Sequence, residues 1–446
     1  EYEVFYGQKA GSSLKAALKH DPNHARAHAY MLLMDTASDK EAKEIVRSAQ
    51  RVFANLPKNR NRDRVLLGVA LALRTEGAAK AREVLASADV DADRELEFWA
   101  AELAYRARDY EKARAAYAAL LASDAKAFRG RIYDHYSAVL LYFDATQEAV
   151  AIGKLYAEGF PGEADALGVY ATTLAAAGQL DEALRYAREA VDLNASEDTY
   201  AGLAKVHAYR GELAKARELY QKSMLLAQPS RRVLRRAALG LLHLADQQHD
   251  EAAKVLEPCL PGQEDGALRE RGACLWVAGL LWPEKIPELL IQLDRLAAAG
   301  SALVPPYGFP AALASLLRAR QKFYAGGCIL TPPKEQAAPG DPKELRLWLE
   351  SGKDFYAAYH IPFFVTWNTC ERAALELKLG KAGDARAILE PAASKARPHI
   401  LLLLSEIAAE LPDLDRDEVV ARAIAGWPQL DQDCVFAQRL RDASGQ

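Results

Sequence analysis

The chain has 446 residues, and its 57 basic and 61 acidic side chains give a net charge of −4. Without a basic excess there is no reason to expect nucleic acid or an anionic membrane as a partner, because phosphate recognition needs a basic face. The longest run of Ile, Leu and Val, residues 400–404, is far shorter than the roughly 20 residues that cross a bilayer, so we predict no membrane insertion.

Alanines recur at regular intervals through the first 260 residues, inside segments with helical periodicity. Eight of them, which we call the ladder alanines, are spaced 32 to 39 residues apart. This spacing predicts stacked units of one turn and two helices, with the two helices closest at the alanine. The ladder alanines are Ala10, Ala42, Ala81, Ala113, Ala149, Ala183, Ala216 and Ala252.

The two most regular units begin at Gly178 and Gly211. Each glycine permits the turn that ends one helix, and acidic residues such as Asp181 then lie near the positive N-terminus of the next helix. The second unit repeats the glycine, small and apolar positions of the first after 33 residues. A helical hairpin is therefore the repeating element.

This pattern resembles the tetratricopeptide repeat. The residues of one copy that match are Tyr200, Leu203, Ala204, Ala216, Tyr220 and Leu226. The small-residue pair of the repeat is matched by Leu67-Gly68 with Ala81 and by Leu239-Gly240 with Ala252. The resemblance implies an all-α, right-handed superhelical solenoid of about 10 to 12 antiparallel hairpins. Three segments, at 21–28, 59–64 and 109–113, are also similar to parts of the repeat tails of bacterial Ser/Thr kinases and of winged-helix or cyclase-type regulators, a resemblance that covers residues 1–260.

Aromatic residues are concentrated between residues 98 and 143. In this stretch Trp99, Glu102 and Tyr105 fall on first-helix positions that the repeat pattern leaves variable and that usually face the concave groove. Exposed aromatic side chains are typical binding anchors, so we predict that these three residues contact a partner. Lys205 is the one residue that fits a clamp for a terminal carboxylate, so binding of a chaperone-type C-terminus is not inferred.

Two pairs of arginines, Arg231 with Arg232 and Arg235 with Arg236, lie one helical turn apart. One interpretation is a groove for an acidic peptide, and the other is a solvated helix entry. Both interpretations stay open at this stage.

Prolines interrupt the pattern between about residues 258 and 380. Residues 325–342 contain a cluster of prolines and glycines and are predicted to form a loop, because proline breaks helices. Helices are predicted on either side of it, at Glu284–Ala299, Pro310–Tyr324 and Pro342–Tyr359. The ladder resumes at Ala385. We therefore predict a regular solenoid at 1–257, an irregular helical segment at 258–365, and C-terminal hairpins with a cap at 366–446.

Signals for chemistry are weak in this sequence. His20, His24 and His28 are spaced by four, but a turn at Asp21-Pro22 separates the first from the others, and no metal site is predicted. The chain has no Gly-x-Ser-x-Gly elbow and no phosphate-binding glycine loop. We accordingly predict no catalysis, no metal and no cofactor.

The sequence favours a non-catalytic interaction scaffold that binds a protein or peptide in its concave groove. One alternative is a regulatory or sensor tail of a larger bacterial signalling protein. The other is an enzyme whose site lies within residues 258–380. A cytoplasmic location is slightly favoured, and a periplasmic one fits a processed or truncated chain, since residue 1 is Glu.

Five cysteines, Cys259, Cys274, Cys328, Cys370 and Cys434, all lie in the C-terminal half and have no Cys-x-x-Cys spacing. We interpret them as reduced thiols in the core. A disulfide between Cys259 and Cys274 is the alternative if the compartment is oxidising.

Overall fold

The structure is a computed structural model, and it describes most of the chain. The described residues are 8–33, 39–57, 62–88, 93–123, 129–227, 229–261, 271–299, 310–322, 341–359, 362–393 and 415–426, with 438, 441 and 442. Within these ranges the regular structure consists of helices, and no strand occurs.

The helices fall into two compact units. The first unit contains α1 (Gln8–His20), α2 (Ala25–Leu33), α3 (Asp39–Asn55), α4 (Arg62–Thr75), α5 (Ala78–Ala86), α6 (Arg94–Arg106), α7 (Tyr110–Ala122), α8 (Arg129–Tyr142) and α9 (Thr146–Gly159).

Apart from the last three residues of Ile286–Ala299, which belong to the first unit instead, the second unit contains thirteen of the described helices. They are α10 (Ala164–Ala176), α11 (Leu180–Leu193), α12 (Glu197–Tyr209), α13 (Leu213–Leu226), α14 (Pro229–Ala245), α15 (His249–Leu256), α16 (Arg271–Leu281), α17 (Ile286–Ala299), α18 (Pro310–Lys322), α19 (Pro342–Tyr359), α20 (Pro362–Lys378), α21 (Ala382–Ala393) and α22 (Arg416–Gly426). Short 3₁₀ turns at Glu257–Cys259 and Pro283–Lys285 follow α15 and precede α17.

Successive helices pack as hairpins in both units. The hairpins are α4–α5, α6–α7 and α8–α9 in the first unit, and α10–α11, α12–α13, α14–α15, α18–α19 and α20–α21 in the second. Except in the pair α18–α19, only a few residues join the two helices of each pair, so these helices run antiparallel. The prediction of an all-α architecture of tetratricopeptide-like hairpins is therefore confirmed.

The ladder alanines lie in the hairpin contacts. Ala81, Ala113, Ala149, Ala183, Ala216, Ala252 and Ala385 are all 0% exposed, and Ala10 is 1% exposed. The side chain of Ala42 lies outside the described residues. The predicted role of these alanines as points of close helix approach agrees with this burial.

A left-handed residue ends the first helix of seven hairpins. Six of these residues lie five positions before a ladder alanine, namely Arg108, Asp144, Gly178, Gly211, Gln247 and Gly380, and Gly77 lies four positions before Ala81. At the six positions other than Gly77, the amide of the next residue donates to a carbonyl in the last turn of the helix, as from Gln179 N to Leu174 O at 2.9 Å. This is the Schellman arrangement, which satisfies the free carbonyls of a helix end.

The region after residue 258 keeps its helical pairs. The predicted helix Pro342–Tyr359 is α19, and those predicted at Glu284–Ala299 and Pro310–Tyr324 correspond to α17 and α18. A Cβ on Gly279 of α16 would lie 2.7 Å from Cδ2 of Leu317 in α18, so close helix approach continues here. Of the loop predicted at 325–342, residues 325–340 lie outside the described residues. The predicted domain boundaries near 257 and 365 stay predictions.

Cys259 and Cys274 form a disulfide, with their Cα atoms 5.7 Å apart. This separation lies within the range that a disulfide spans. The interpretation as reduced thiols is therefore wrong for this pair, and the alternative is the one observed. The absence of Cys-x-x-Cys spacing says nothing about which helices fold together, so the spacing gives no evidence against this disulfide. Cys328 and Cys434 and the side chain of Cys370 lie outside the described residues.

Candidate partner-binding face

The predicted partner-binding residues lie on the first helices of the hairpins. We define the groove positions as the residues 14 and 11 places before a ladder alanine on the first helix of its hairpin. On α6 they are Trp99 and Glu102, on α10 Val169 and Thr172, and on α12 Gly202 and Lys205.

Helix α6 begins where the carboxylate of Asp93 caps it. Oδ1 of Asp93 accepts hydrogen bonds from the amides of Glu95 and Leu96 at 3.0 and 3.2 Å. An N-cap of this kind satisfies amides that have no partner within the helix. It fixes the register that places Glu95, Trp99 and Glu102 along one side of α6.

Glu102 is the centre of a buried charge cluster in the first unit. Its side chain is 0% exposed, and its Oε1 accepts hydrogen bonds from Tyr117 Oη and His135 Nδ1, both at 2.6 Å. Nε of Arg131 lies 3.4 Å from Oε2. We call these four residues the Glu102 cluster. Its members come from α6, α7 and α8, so the cluster joins three consecutive helices.

The pKa of Glu102 is lowered from 4.5 to about 2. Burial by itself raises this pKa, but the positive charges of His135, Arg131 and Arg106 outweigh burial and hold the carboxyl group ionised. Burial and the same carboxylate raise the pKa of Tyr117 well above 10, so Tyr117 stays protonated and donates its hydrogen bond. The cluster is a fixed structural charge network.

A second buried carboxylate, Glu95, lies in the first turn of α6. It is 2% exposed and accepts contacts from Arg26 at 2.7 Å and from Arg62 and Tyr30. The guanidinium groups of Arg26 and Arg62 are themselves 37% and 43% exposed. Helices α2 and α4 thus supply positive charge over α6.

Trp99 and Tyr105 are buried at 0% and 5% exposure. The ring of Trp99 lies 6.2 Å from that of Tyr30, and Tyr105 stacks on His135 with a centroid distance of 4.6 Å. The expectation that these aromatic residues are exposed anchors is therefore wrong, because side chains from α2 and α8 cover them. Contact between a partner and Trp99, Glu102 or Tyr105 stays a prediction.

The groove positions of α10 and α12 differ from those of α6. Val169, Thr172, Gly202 and Lys205 are all partly exposed. A Cβ added to Gly202 would meet no atom within 4 Å, and the same holds for Gly168 beside Val169. The hydroxyl of Thr172 donates to the carbonyl of Gly168 at 2.9 Å. The groove positions of α10 and α12 are therefore more exposed than those of α6, and a side chain at Gly168 or Gly202 would extend into open space.

The four arginines of α14 have different environments. Arg235 is 8% exposed and forms an ion pair with Asp198 of α12, which is 56% exposed. Arg232 is exposed and its Nε donates to the carbonyl of Ala227 at 3.0 Å, while Arg236 is partly exposed. The side chain of Arg231 lies outside the described residues. Arg235 joins α14 to α12 through its ion pair with Asp198. A role for these arginines in partner binding stays a prediction.

A cleft of about 370 Å³ opens among α19, α20 and α21. No sequence motif marks this cleft, because its residues are dispersed over three helices. A pairing of helices, not a motif, brings them together. They are Lys343, Arg346, Leu347, Leu349, Glu350, Arg372, Leu375, Glu376 and Ile388.

No group of three or more His, Cys, Asp or Glu side chains is placed to share a metal ion in the part of the chain that the structure describes. In that same part, every helix is too short or too polar to pass through a bilayer.

The hairpins, their left-handed turns and the buried ladder alanines define a tetratricopeptide-like helical repeat protein. Comparison with known proteins finds similarity at the level of structure. A chain in the crystal structure of the APC/C hetero-tetramer Cut9-Hcn1 is 13% identical, with a TM-score of 0.41 over 96% of this chain and 74% of that chain. A tetratricopeptide repeat protein from Parabacteroides merdae is 12% identical, with a TM-score of 0.40 over 57% of this chain and 97% of that chain. No family model matches the sequence, and no curated protein matches it.

Proposed function

We propose that this chain is a non-catalytic interaction scaffold that binds a peptide or protein on the first-helix face of α10 and α12. The observation that carries the proposal is the contrast at the groove positions. The residues of α6 are covered by their own unit, whereas Gly202 and Lys205 of α12 and Thr172 of α10 are partly exposed, and a Cβ at Gly202 would meet nothing within 4 Å. An uncovered first-helix face supports partner binding, since a covered one has no surface to offer.

The chemistry of the face suggests how a partner binds. With no side chain at Gly168 and Gly202, a partner's backbone can approach α10 and α12 closely. Lys205 supplies a positive charge at the groove position of α12, where it can meet an acidic group. The partner is therefore expected to lie against α10 and α12 with an acidic residue near Lys205.

Blocking the face tests the proposal. Gly168→Trp and Gly202→Trp place a large side chain in open space, so we expect both variants to fold. Affinity purification from the native host identifies the partners of the unchanged chain, and both variants are expected to lose them. Replacing Trp99 or Tyr105 by alanine is a poorer test, because removing a buried aromatic side chain costs about 3–5 kcal/mol and damages the fold itself.

Gly159→Trp and Gly383→Trp are matched controls, since a Cβ at either glycine also meets nothing within 4 Å. Neither residue lies on α10 or α12. Partners that survive both Gly168→Trp and Gly202→Trp, with melting temperatures unchanged, would show that binding occurs elsewhere.

A further inference from the structure

The cleft among α19, α20 and α21 is lined by residues of three helices other than α10 and α12. Helices α19 and α21 are the second helices of their hairpins, and α20 is the first helix of the hairpin that it forms with α21. On α19 the cleft residues follow the spacing of one helix face, from Lys343 through Arg346 and Leu347 to Glu350. The inference below does not rest on the function proposed for α10 and α12.

Aliphatic side chains form the inner surface of the cleft. Leu349 and Leu375 are buried at 3% and 1% exposure, and Ile388 is partly exposed. Leu347, at the mouth, is 68% exposed. An apolar side chain that entered the cleft would remove both itself and Leu347 from water, which favours binding.

Two ion pairs line the walls of the cleft. Nε and one terminal nitrogen of Arg346 contact the two carboxylate oxygens of Glu376 at 2.6 and 2.7 Å. A terminal nitrogen of Arg372 lies 2.9 Å from Oε2 of Glu350. The side chain of Glu376 is 7% exposed, whereas that of Glu350 is 54% exposed.

The cleft has more hydrogen-bond donors than acceptors. Each guanidinium group keeps N–H donors that its ion pair does not use, and the exposed ammonium group of Lys343 forms no ion pair with any residue that the structure describes. Both carboxylate oxygens of Glu376 accept hydrogen bonds from Arg346, whereas only one oxygen of Glu350 contacts Arg372. Beside the cleft, Lys381 and Asp384 pair with each other at 3.7 Å. The net charge at the cleft is therefore positive.

We propose that this cleft binds a segment of a partner protein in which an aliphatic residue adjoins acidic ones. The aliphatic side chain packs on Leu347, Leu349 and Leu375, and the neighbouring carboxylate accepts hydrogen bonds from Arg372 and Lys343. Charge complementarity selects an acidic segment over a basic or neutral one. The size of the cleft suits a single large aliphatic side chain with its flanking groups.

Fluorescence anisotropy with the full chain and two labelled peptides tests this proposal. One peptide alternates leucine and glutamate, and the other has glutamine in place of every glutamate. We expect saturable binding of the leucine–glutamate peptide, at least tenfold tighter than binding of the glutamine peptide and weakened by added salt.

Variants of Lys343, Arg372 and Leu347, which are exposed or partly exposed, locate the binding to the cleft. Lys343→Gln combined with Arg372→Gln is expected to weaken the leucine–glutamate peptide about tenfold and to leave the glutamine peptide unchanged, because one carboxylate contact is worth roughly that factor. Leu347→Ser is expected to weaken both peptides. Arg372 is chosen over Arg346 because its partner Glu350 is exposed and stays hydrated when the arginine is removed.

Matched controls exist elsewhere in the chain. Arg318 pairs with the exposed Asp294 as Arg372 pairs with Glu350, and Leu225 is 76% exposed. Arg318→Gln and Leu225→Ser should leave both affinities unchanged. Gly202→Trp should also bind the peptides normally, so loss of partners at α10 and α12 is distinguishable from failure here. Equal affinity for the two peptides, no effect of the double variant, or no saturable binding up to about 1 mM would overturn the proposal.

Discussion

The carboxylate of Glu102 lies 2.6 Å from Nδ1 of His135, and both side chains are buried in the first unit. These residues are 33 positions apart and lie on the first helices of successive hairpins, α6 and α8. The pair therefore bonds one hairpin to the next through positions that a repeat protein can use for a partner. In the first unit, these positions stabilise the packing of one hairpin on the next.

Replacing Glu102 by glutamine should destabilise the protein strongly. The change removes the only buried carboxylate of the Glu102 cluster and leaves Arg131 and His135 without their counter-charge. Breaking a buried ion pair in this way costs about 3–5 kcal/mol. Urea denaturation followed by circular dichroism measures the loss. Glu218→Gln, which removes an exposed carboxylate paired with Lys215 and Lys222, is the control and should have no measurable effect.

Acid should weaken the fold through the same carboxylate. Because the pKa of Glu102 is about 2 in the folded chain and about 4.5 when unfolded, the unfolded state takes up the proton first. The contribution of Glu102 to the free energy of unfolding is fully present above pH 4.5 and is lost as the pH falls toward 2. Melting temperatures across this range should fall less steeply for Glu102→Gln. Parallel curves for the two proteins would contradict the assignment.

The hairpins could be predicted from local sequence because their causes are local. Alanine at a fixed spacing marks close helix contacts, and proline at residues 310 and 342 marks helix starts that α18 and α19 confirm. The turns at Arg108, Asp144 and Gln247 were not predictable in this way. They adopt the left-handed conformation with side chains that usually avoid it, so no glycine marks them.

The candidate sites could not be predicted because they depend on residues far apart in the chain. Trp99 and Glu102 occupy the positions expected for a groove, but their burial depends on Tyr30, Arg131 and His135 from other helices. The cleft among α19, α20 and α21 joins residues as distant as Lys343 and Ile388. Sequence periodicity identifies the face of a helix, but not the helix that covers it.

Two helical glycines should respond in opposite ways to alanine. A Cβ at Gly240 would lie 2.6 Å from Cδ2 and 2.8 Å from Cγ of Leu256, which is fully buried and has little room to move. Gly240→Ala should therefore destabilise the protein by about 1–3 kcal/mol. Gly202→Ala meets nothing within 4 Å and should stabilise it by up to about 1 kcal/mol. Urea denaturation of both variants checks the prediction, and destabilisation by Gly202→Ala would mean that the α12 face is covered.

Two equivalent histidines should make the second unit less stable in mild acid. His207 and His243 occupy the same repeat position, nine residues before the ladder alanines Ala216 and Ala252. His207 contacts Glu212 and His243 contacts Gln248, each in the turn that follows its helix. Burial lowers the pKa of both below 6.5, more than the contact with Glu212 or Gln248 raises it. The unfolded chain therefore binds protons more readily, and stability should fall as the pH drops through 6.5.

Melting temperatures at pH 5 and pH 8 measure this effect. The double variant with His207→Gln and His243→Gln should show a smaller difference between the two conditions than the unchanged chain. His249→Gln removes an exposed histidine at the first position of α15 and should leave the difference as it is. An unaltered difference in the double variant would assign the pH dependence to other groups.

Glycine should stabilise the turns in which a larger residue is left-handed. Arg108 and Gln247 have φ angles of 61° and 56°, where a Cβ is unfavourable by about 1 kcal/mol. Arg108→Gly and Gln247→Gly remove this strain, although glycine also loses more chain entropy on folding, so a net gain of about 0.5 kcal/mol is expected for each. Gly178→Ala is the reciprocal change, since Gly178 has a φ angle of 81°, and it should destabilise by about 1 kcal/mol. Denaturation midpoints of the three variants test the rule, and destabilisation by either glycine variant would show that the replaced side chain contributes more than its strain costs.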